Sequence, residues 1–232
     1  MSGTGAITRE AGRGLLTARP APGAKEGPNA RGLAALGLGG ARDAVLYVPK
    51  SYDPAKPAPL LVLLHGAGGE GRQLVDLFIE TAEAKGTLIL SPDSRSRTWD
   101  VIMGGFGRDV IFMDEALRLM FQRFAVDPAR IAVGGFSDGA SYALSIGVGN
   151  GELFRHILAF SPGFAAPVEA HGSPRIFVSH GVDDRVLPID PCSRRLVPAL
   201  QRAGYDVDYR EFDGGHVVPP EMVTAAVARF LA

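Results

Sequence analysis

The sequence predicts an α/β fold in which helices cover both faces of a mostly parallel sheet. From Asp43 onward, short apolar runs alternate with longer amphipathic segments, a pattern typical of the strands and helices of such a sheet. The chain has 232 residues, of which 46% are hydrophobic and 21% charged, values that suit one large globular domain. We therefore expect a single domain over residues 41–232.

Seven apolar runs are the candidate strands. In chain order they are "AVLYVP", "PLLVLLHG", "GTLILSPD", "RIAVGGF", "HILAFSPG", "RIFVSHG" and "VDYREF". The segment "DVIFMDEALRLMFQRF" has apolar residues at the spacing of one helix face, and Asp109 at its start is the predicted N-cap. A last helix is predicted from Pro220, because proline is tolerated in a first helical turn and the residues after it form an apolar stripe.

The first forty residues differ in composition from the rest. Gly, Ala and Pro dominate them, and they show neither helical nor strand periodicity. We expect an irregular arm over residues 1–40, within which "GLLTARP" could add an edge strand to the sheet.

Composition and charge exclude several classes of partner. The formal net charge is −1 with both signs interspersed, so we expect binding neither to nucleic acid nor to an anionic membrane surface. No apolar stretch approaches the roughly 20 residues of a membrane span, and the N-terminus lacks the apolar centre of a secretory signal, which together favour a cytoplasmic location. Cys192 is the only cysteine, which argues against an internal disulfide and a cysteine-rich metal site. Neither a metal nor a cofactor is expected, and the oligomeric state is left open.

The stretch "GGFSDGASYAL" places Ser137 at the junction of a predicted strand and a predicted helix. Gly135 and Gly139 flank it where side chains would collide if strand and helix were folded sharply together. This G-x-S-x-G pattern predicts a nucleophile elbow, a turn that exposes the serine oxygen above the sheet.

A serine hydroxyl needs a histidine to take its proton and a carboxylate to orient that histidine. In sheets that carry such an elbow, the acid follows the nucleophile in the chain and the base follows the acid. Among the five histidines, this order leaves His216, in the loop "FDGGHVVPP" after the last strand. The acid is either Asp183 or Asp184, since both follow the strand "RIFVSHG".

Three motifs together resemble the small serine esterases of the α/β-hydrolase fold. These are the phospholipase/carboxylesterase group and its polyhydroxybutyrate depolymerase-like and feruloyl esterase-like relatives. The motifs are "LLVLLHGAGG", "VDPARIAVGGFSDG" and "SHGVDDRVLP", so the resemblance runs from about Leu46 to the end of the chain. It implies that Asp184 is the acid, since the family carries H-G-x-x-D-x-V-x-P there. Asp138 departs from the neutral residue of many relatives, and an extra carboxylate at the mouth should disfavour anionic esters.

Acyl transfer also needs donors for the negative charge that develops on the carbonyl oxygen. One expected donor is the backbone amide of Asp138, at the helix start. The other comes from the glycine-rich loop after "LVLL", and the resemblance assigns it to the amide of Ala67. His65 in that loop is interpreted as structural.

The substrate pocket is the least determined part of the site. Trp99, Met103 and Phe106 lie among glycines in "SRSRTWDVIMGGFGRD" and are the candidate pocket wall, although a core tryptophan fits equally well. Only "FAAPVEAHGSP" separates "FSPG" from "RIFVSHG", which leaves no room for a cap domain.

The sequence therefore predicts a carboxylesterase that acts on short-chain esters through an acyl-enzyme. A serine peptidase, a hydroxynitrile lyase and a non-catalytic binding module remain as alternatives.

Overall fold

The computed structural model describes residues 7–21, 31–40 and 42–232. In these ranges the chain forms one eight-stranded sheet in the order β1-β2-β4-β3-β5-β6-β7-β8, where β1 and β2 run antiparallel to their neighbours and the remaining pairs are parallel. The strands are β1 (Gly32–Ala35), β2 (Ala44–Val48), β3 (Ala58–Leu64), β4 (Leu88–Pro92), β5 (Val126–Phe136), β6 (His156–Phe160), β7 (Arg175–Gly181) and β8 (Val207–Phe212). This confirms the predicted fold class and the seven candidate strands.

Helices lie on both faces of the sheet. They are α1 (Arg9–Gly12), α2 (Gly71–Asp76), α3 (Ile79–Lys85), α4 (Arg108–Arg123), α5 (Asp138–Gly149), α6 (Ser193–Arg202) and α7 (Pro220–Leu231), with a 3₁₀ turn at Asp100–Met103. Buried side chains of α4, α5 and α6 form one core with one face of the sheet, and those of α2, α3 and α7 form a second core with the other face. None of the helices in the described ranges is both long and apolar enough to cross a bilayer.

Part of the predicted N-terminal arm is packed against the domain. The segment "GLLTARP" does not form a strand. The edge strand that the N-terminal region contributes is β1 instead. The backbone amide of Leu16 donates to Asn150 Oδ1 at 2.8 Å, and those of Thr17 and Ala18 donate to Asp114 Oδ1 at 2.7 Å. Since these side chains satisfy the amides, the segment needs no neighbouring strand. Residues 1–6 and 22–30 of the predicted arm lie outside the described ranges.

The predicted N-cap of α4 is also wrong. Gly107 holds that position, and Asp109 lies inside the first turn of the helix. Its carboxylate accepts hydrogen bonds from the backbone amides of Arg95 and Asp100 instead. Through these two bonds the carboxyl group braces the loop before α4 rather than the helix end. Burial raises the pKa of Asp109 to about 6.

Candidate active site

Ser137 lies on the turn between β5 and α5, at the carboxyl edge of the sheet. Its backbone has φ 58° and ψ −121°, a conformation that a non-glycine residue rarely adopts. A Cβ at Gly135 would lie 2.3 Å from the carbonyl oxygen of Gly139, and a Cβ at Gly139 would lie 2.0 Å from that of Leu64. Only glycine fits at either position, which explains the spacing seen in the sequence.

The imidazole of His216 connects Ser137 to a carboxylate. His216 follows β8, and its Nε2 lies 2.8 Å from Ser137 Oγ while its Nδ1 lies 2.6 Å from Asp184 Oδ2. Nδ1–H therefore donates to the carboxylate, which leaves Nε2 free to accept the serine proton. The ring of Phe136 lies 4.6 Å from the imidazole, centroid to centroid, and supports one of its faces.

Of the two acids left open by the local sequence, Asp184 contacts His216, whereas Asp183 is exposed. The backbone amides of Val186 and Leu187 each donate to Asp184 Oδ1 at 2.9 Å. Burial opposes ionisation of this carboxyl group. The hydrogen bonds from His216, Leu187 and Val186 nevertheless lower its pKa below the ordinary value. Asp184 is therefore held as a carboxylate with a fixed orientation.

His180 has a role in this loop that was not predicted from the sequence. It is fully buried, its Nδ1 accepts from the hydroxyl of Ser193 at 2.7 Å, and its Nε2 donates to the carbonyl of Leu187 at 2.8 Å. The same Nε2 lies 3.3 Å from Asp184 Oδ2, and burial lowers the pKa of His180. His180 thus fixes the loop that carries the acid. The available signal was its place in the motif "SHGVDDRVLP".

The loop Gly66–Gly69 lies directly beside the nucleophile. A Cβ at Gly66 would lie 3.4 Å from Ser137 Cβ, so the predicted donor Ala67 belongs to the loop next to the serine. The other predicted donor, Asp138, is the first residue of α5, and the first amides of a helix have no acceptor within it. Both predicted donor residues therefore lie near Ser137.

His65 has the contacts of a structural residue, as predicted. Its Nε2 accepts from the amide of Ser94 at 3.0 Å, and its Nδ1 lies 2.7 Å from the carbonyl oxygen of Gly66. Burial lowers the pKa of His65. The neutral ring therefore links the glycine loop to the segment after β4.

The predicted pocket wall is wrong for two of its three residues. Trp99 is 1% exposed and stacks on Tyr142 of α5, with ring centroids 4.9 Å apart. Phe106 is also buried, 5.7 Å from the same ring. Both belong to the core because α5 presents an aromatic face to them. Met103 is 70% exposed, and its contribution to a pocket stays a prediction.

Two exposed apolar side chains near the triad were not singled out from the sequence. Val186 is 66% exposed and lies two residues after Asp184, and Val217 is 52% exposed and directly follows His216. Their positions inside the two motif loops were the available signal. In the chain, both are within two residues of Asp184 or His216.

Comparison with known proteins identifies relatives of this chain. Feruloyl esterase C of Emericella nidulans is 29% identical over 157 residues, which is 64% of this chain and 57% of that protein. Acyl-protein thioesterase 1 of Gibberella zeae is 32% identical over 106 residues, 40% of this chain and 44% of that protein. The chain thus spans about half the length of the curated relatives it matches, 57% of the first and 44% of the second.

Solved structures share the fold. The crystal structure of esterase PE8 matches with a TM-score of 0.64 at 25% identity, covering 82% of this chain and 98% of that one. A thermophilic esterase from Thermogutta terrifontis with propionate bound matches with a TM-score of 0.67 at 17% identity, covering 90% and 94% of the two chains. Residues 112–232, which include Ser137, Asp184 and His216, match the phospholipase/carboxylesterase family. The chain belongs to the phospholipase/carboxylesterase family and has the α/β-hydrolase fold.

Proposed function

We propose that this protein hydrolyses carboxylic esters through an acyl-enzyme formed on Ser137. The observation that carries the proposal is the continuous hydrogen-bonded relay from Ser137 Oγ through His216 to Asp184, with distances of 2.8 and 2.6 Å. Nucleophile, base and orienting carboxylate lie at the carboxyl edge of a parallel sheet, where ligands bind in open α/β folds. The named relatives are esterases and a thioesterase, which supports the same chemistry.

In the first half of the reaction, Ser137 Oγ attacks the acyl carbon while His216 Nε2 takes the hydroxyl proton. The same proton then passes to the leaving alcohol as the ester C–O bond breaks, which leaves an acyl-serine. In the second half, His216 takes a proton from water while the water oxygen attacks the acyl carbon. The bond from the acyl carbon to Ser137 Oγ then breaks, the carboxylic acid leaves, and His216 returns the proton to Ser137 Oγ. Asp184 stays ionised and stabilises the imidazolium that forms in each half.

The negative charge on the carbonyl oxygen needs donors that are already in place. We assign this role to the amides of Ala67 and Asp138. Removing one such donor typically costs about 3 to 4 kcal/mol of transition-state stabilisation, because fixed dipoles need no reorganisation. The start of α5 adds its partial positive charge at the same point.

We propose a preference for short acyl chains. Residues 161–174, between β6 and β7, contain no helix, so no cap covers the site from this connection. Each methylene adds about 0.8 kcal/mol only where it leaves water, and an open cleft can enclose few of them. Val186 and Val217 provide limited apolar surface for such a chain.

The test is a panel of p-nitrophenyl esters from acetate to palmitate, with methyl ferulate and an acyl thioester added because of the names of the relatives. We expect kcat/KM to peak at about two to six acyl carbons, given the methylene increment above, and to vanish in Ser137→Ala. A peak at palmitate would contradict the short-chain preference, and a peak at ferulate would assign an aromatic acyl group.

Three controls separate the alternative functions. A p-nitroanilide cleaved as fast as the matching ester would indicate a peptidase, and cyanide release from a cyanohydrin would indicate a hydroxynitrile lyase. Absence of both turnover and labelling of Ser137 by a fluorophosphonate would indicate a binding module and overturn the proposal.

A further inference from the structure

Three consecutive residues contact both sides of the proposed oxyanion hole. The carbonyl oxygen of Arg97 accepts from the amide of Gly68 at 2.7 Å. The hydroxyl of Thr98 donates to Asp138 Oδ2 at 2.6 Å, and the indole Nε1 of Trp99 donates to the carbonyl oxygen of His65 at 2.8 Å. Residues 97–99, the bridging segment, therefore bind the glycine loop and the first residue of α5.

The indole of Trp99 contacts both elements that carry the amides. Its ring lies 4.9 Å from the ring of His65, which leads into the glycine loop, and it stacks 4.9 Å from Tyr142 of α5 at 22°. Thr98 and Trp99 are 8% and 1% exposed. Because buried side chains are close-packed, the indole constrains the distance between these two elements.

The bridging segment is also hydrogen-bonded to the start of α4, through the residue that follows it. Asp100 Oδ2 accepts from the amides of Gly107 and Asp109 at 2.7 and 2.9 Å, and Asp109 Oδ2 accepts from the amide of Asp100 at 2.7 Å. The carboxylates of Asp109, which is buried, and Asp100, which is partly buried, thus connect the segment to the start of α4. These hydrogen bonds restrain the position of the bridging segment.

We propose that Thr98 and Trp99 are positioning residues that hold the amides of Ala67 and Asp138 at the spacing the oxyanion needs. The proposal rests on the proposed function. Donors contribute to catalysis only when they are fixed before the charge develops, and a displacement of about 1 Å can cost about 100-fold in rate. The Thr98 bond also gives the carboxylate of Asp138 a partner, which explains how an acidic residue is accommodated beside the nucleophile.

The main test compares Thr98→Val with Tyr47→Phe. Valine keeps the shape of threonine but cannot donate. Tyr47 is a matched control because its hydroxyl also donates to a carboxylate at 2.6 Å, that of Glu83, and it lies in β2, three strands from β5. We expect Thr98→Val to lower kcat about tenfold, less than the loss of an oxyanion donor itself, with KM unchanged. Affinity for a boronic acid that mimics the tetrahedral intermediate should fall by the same factor, and Tyr47→Phe should change neither.

Two further variants keep the test decisive. Thr98→Ser restores the hydroxyl and should restore kcat. Trp99→Phe removes the indole N–H and should also lower kcat at constant KM. If Trp99→Phe does not fold, the comparison of valine with serine at position 98 decides. A rise in KM alone, or the same kcat loss in Tyr47→Phe, would overturn the inference.

A readout that needs no activity separates this inference from the proposed function. The Gly68 amide is protected by Arg97, so its hydrogen exchange reports on the contact between the glycine loop and the bridging segment. We expect faster exchange in Thr98→Val and Trp99→Phe than in wild type, whether or not the protein cleaves esters. If the wild-type protein cleaves no ester and exchange is still faster in the two variants, the proposed function is overturned and the bridging role stands. Unchanged exchange with unchanged kcat would overturn the bridging role.

Discussion

Two neighbouring strands end in a serine with a positive φ, and only one of these serines has a base. Ser137 follows β5 with φ 58°, and Ser161 follows β6 with φ 51°. Both are buried, at 8% and 0% exposure. Ser137 Oγ contacts His216, whereas Ser161 Oγ has no hydrogen-bond partner in the part of the chain that the structure describes. An unusual backbone at a strand end therefore does not by itself indicate a nucleophile.

The two serines differ in the chain segment that comes after each of them. Ser137 is followed at once by α5, which begins at Asp138. Ser161 is followed by Pro162 and an irregular connection up to residue 174. Ser137 combines a positive φ at the strand end, a helix start and a histidine from another loop, whereas Ser161 has only the positive φ.

The largest loss of activity is expected when Ser137 or His216 is replaced. Because the triad acts as a unit, Ser137→Ala, His216→Ala and the double variant should each lose about 10⁴-fold or more in kcat, without multiplying. Ser161→Ala should retain kcat within about tenfold, since a serine without a base contributes little to acyl transfer. Steady-state kinetics on one p-nitrophenyl ester measures all four. A loss in Ser161→Ala as large as that in Ser137→Ala would refute the assignment.

The next largest loss is expected at Asp184, the carboxylate that orients His216. Asp184→Asn should lower kcat by up to about 10⁴-fold, because an amide cannot hold the imidazole in the required tautomer. Asp183→Asn removes the same charge one residue earlier and should stay within about twofold of wild type, as for most exposed positions. The reverse order of the two effects would move the acid to Asp183.

The same pair of variants differs in the pH dependence of stability. The pKa of Asp184 is lowered in the folded protein, so the unfolded chain takes up the proton first as pH falls. Asp184 therefore contributes stability that is complete above its unfolded pKa, about 4, and is lost as pH falls through the lower folded value. The difference in unfolding free energy between wild type and Asp184→Asn should shrink as pH falls below that value. Urea denaturation at pH 7 and pH 3 measures it, with Asp183→Asn as the control, and a constant difference would argue against the bonded carboxylate.

The parts of the fold that could be predicted from the sequence are those with strong local signals. The apolar runs that became β2 to β8 are such cases. β1 was missed because "GLAA" has little strand propensity, and its place is decided by pairing with β2 in the register Gly32↔Val48. Asp109 was misplaced because its partners are the amides of Arg95 and Asp100, not the helix end.

For the site, local sequence predicted the motifs but not the side-chain contacts between distant parts of the chain. Motif order was enough to name Ser137 and His216, which the structure brings together. Local sequence could not choose between Asp183 and Asp184, because that choice depends on which side chain turns toward a loop 32 residues further along. Nor could it place Trp99, whose indole binds the carbonyl of His65, 34 residues earlier in the chain. Contacts of this length arise only when the strands assemble.

The smallest expected change is in stability and concerns the backbone conformation of Ser161, with Ser179 as the control position. Ser179, on β7, is also buried, and its hydroxyl has no hydrogen-bond partner within residues 7–21, 31–40 and 42–232, but its φ is not positive. In a strand, glycine is less stable than alanine by about 0.5 to 1 kcal/mol because it loses more conformational freedom on folding. In the left-handed region, a side chain costs about 1 to 2 kcal/mol that glycine avoids. We therefore expect Ser179→Gly to be less stable than Ser179→Ala, and Ser161→Gly to be at least as stable as Ser161→Ala. Urea denaturation of the four variants measures the two differences, and an equal glycine penalty at both positions would show that Ser161 carries no strain.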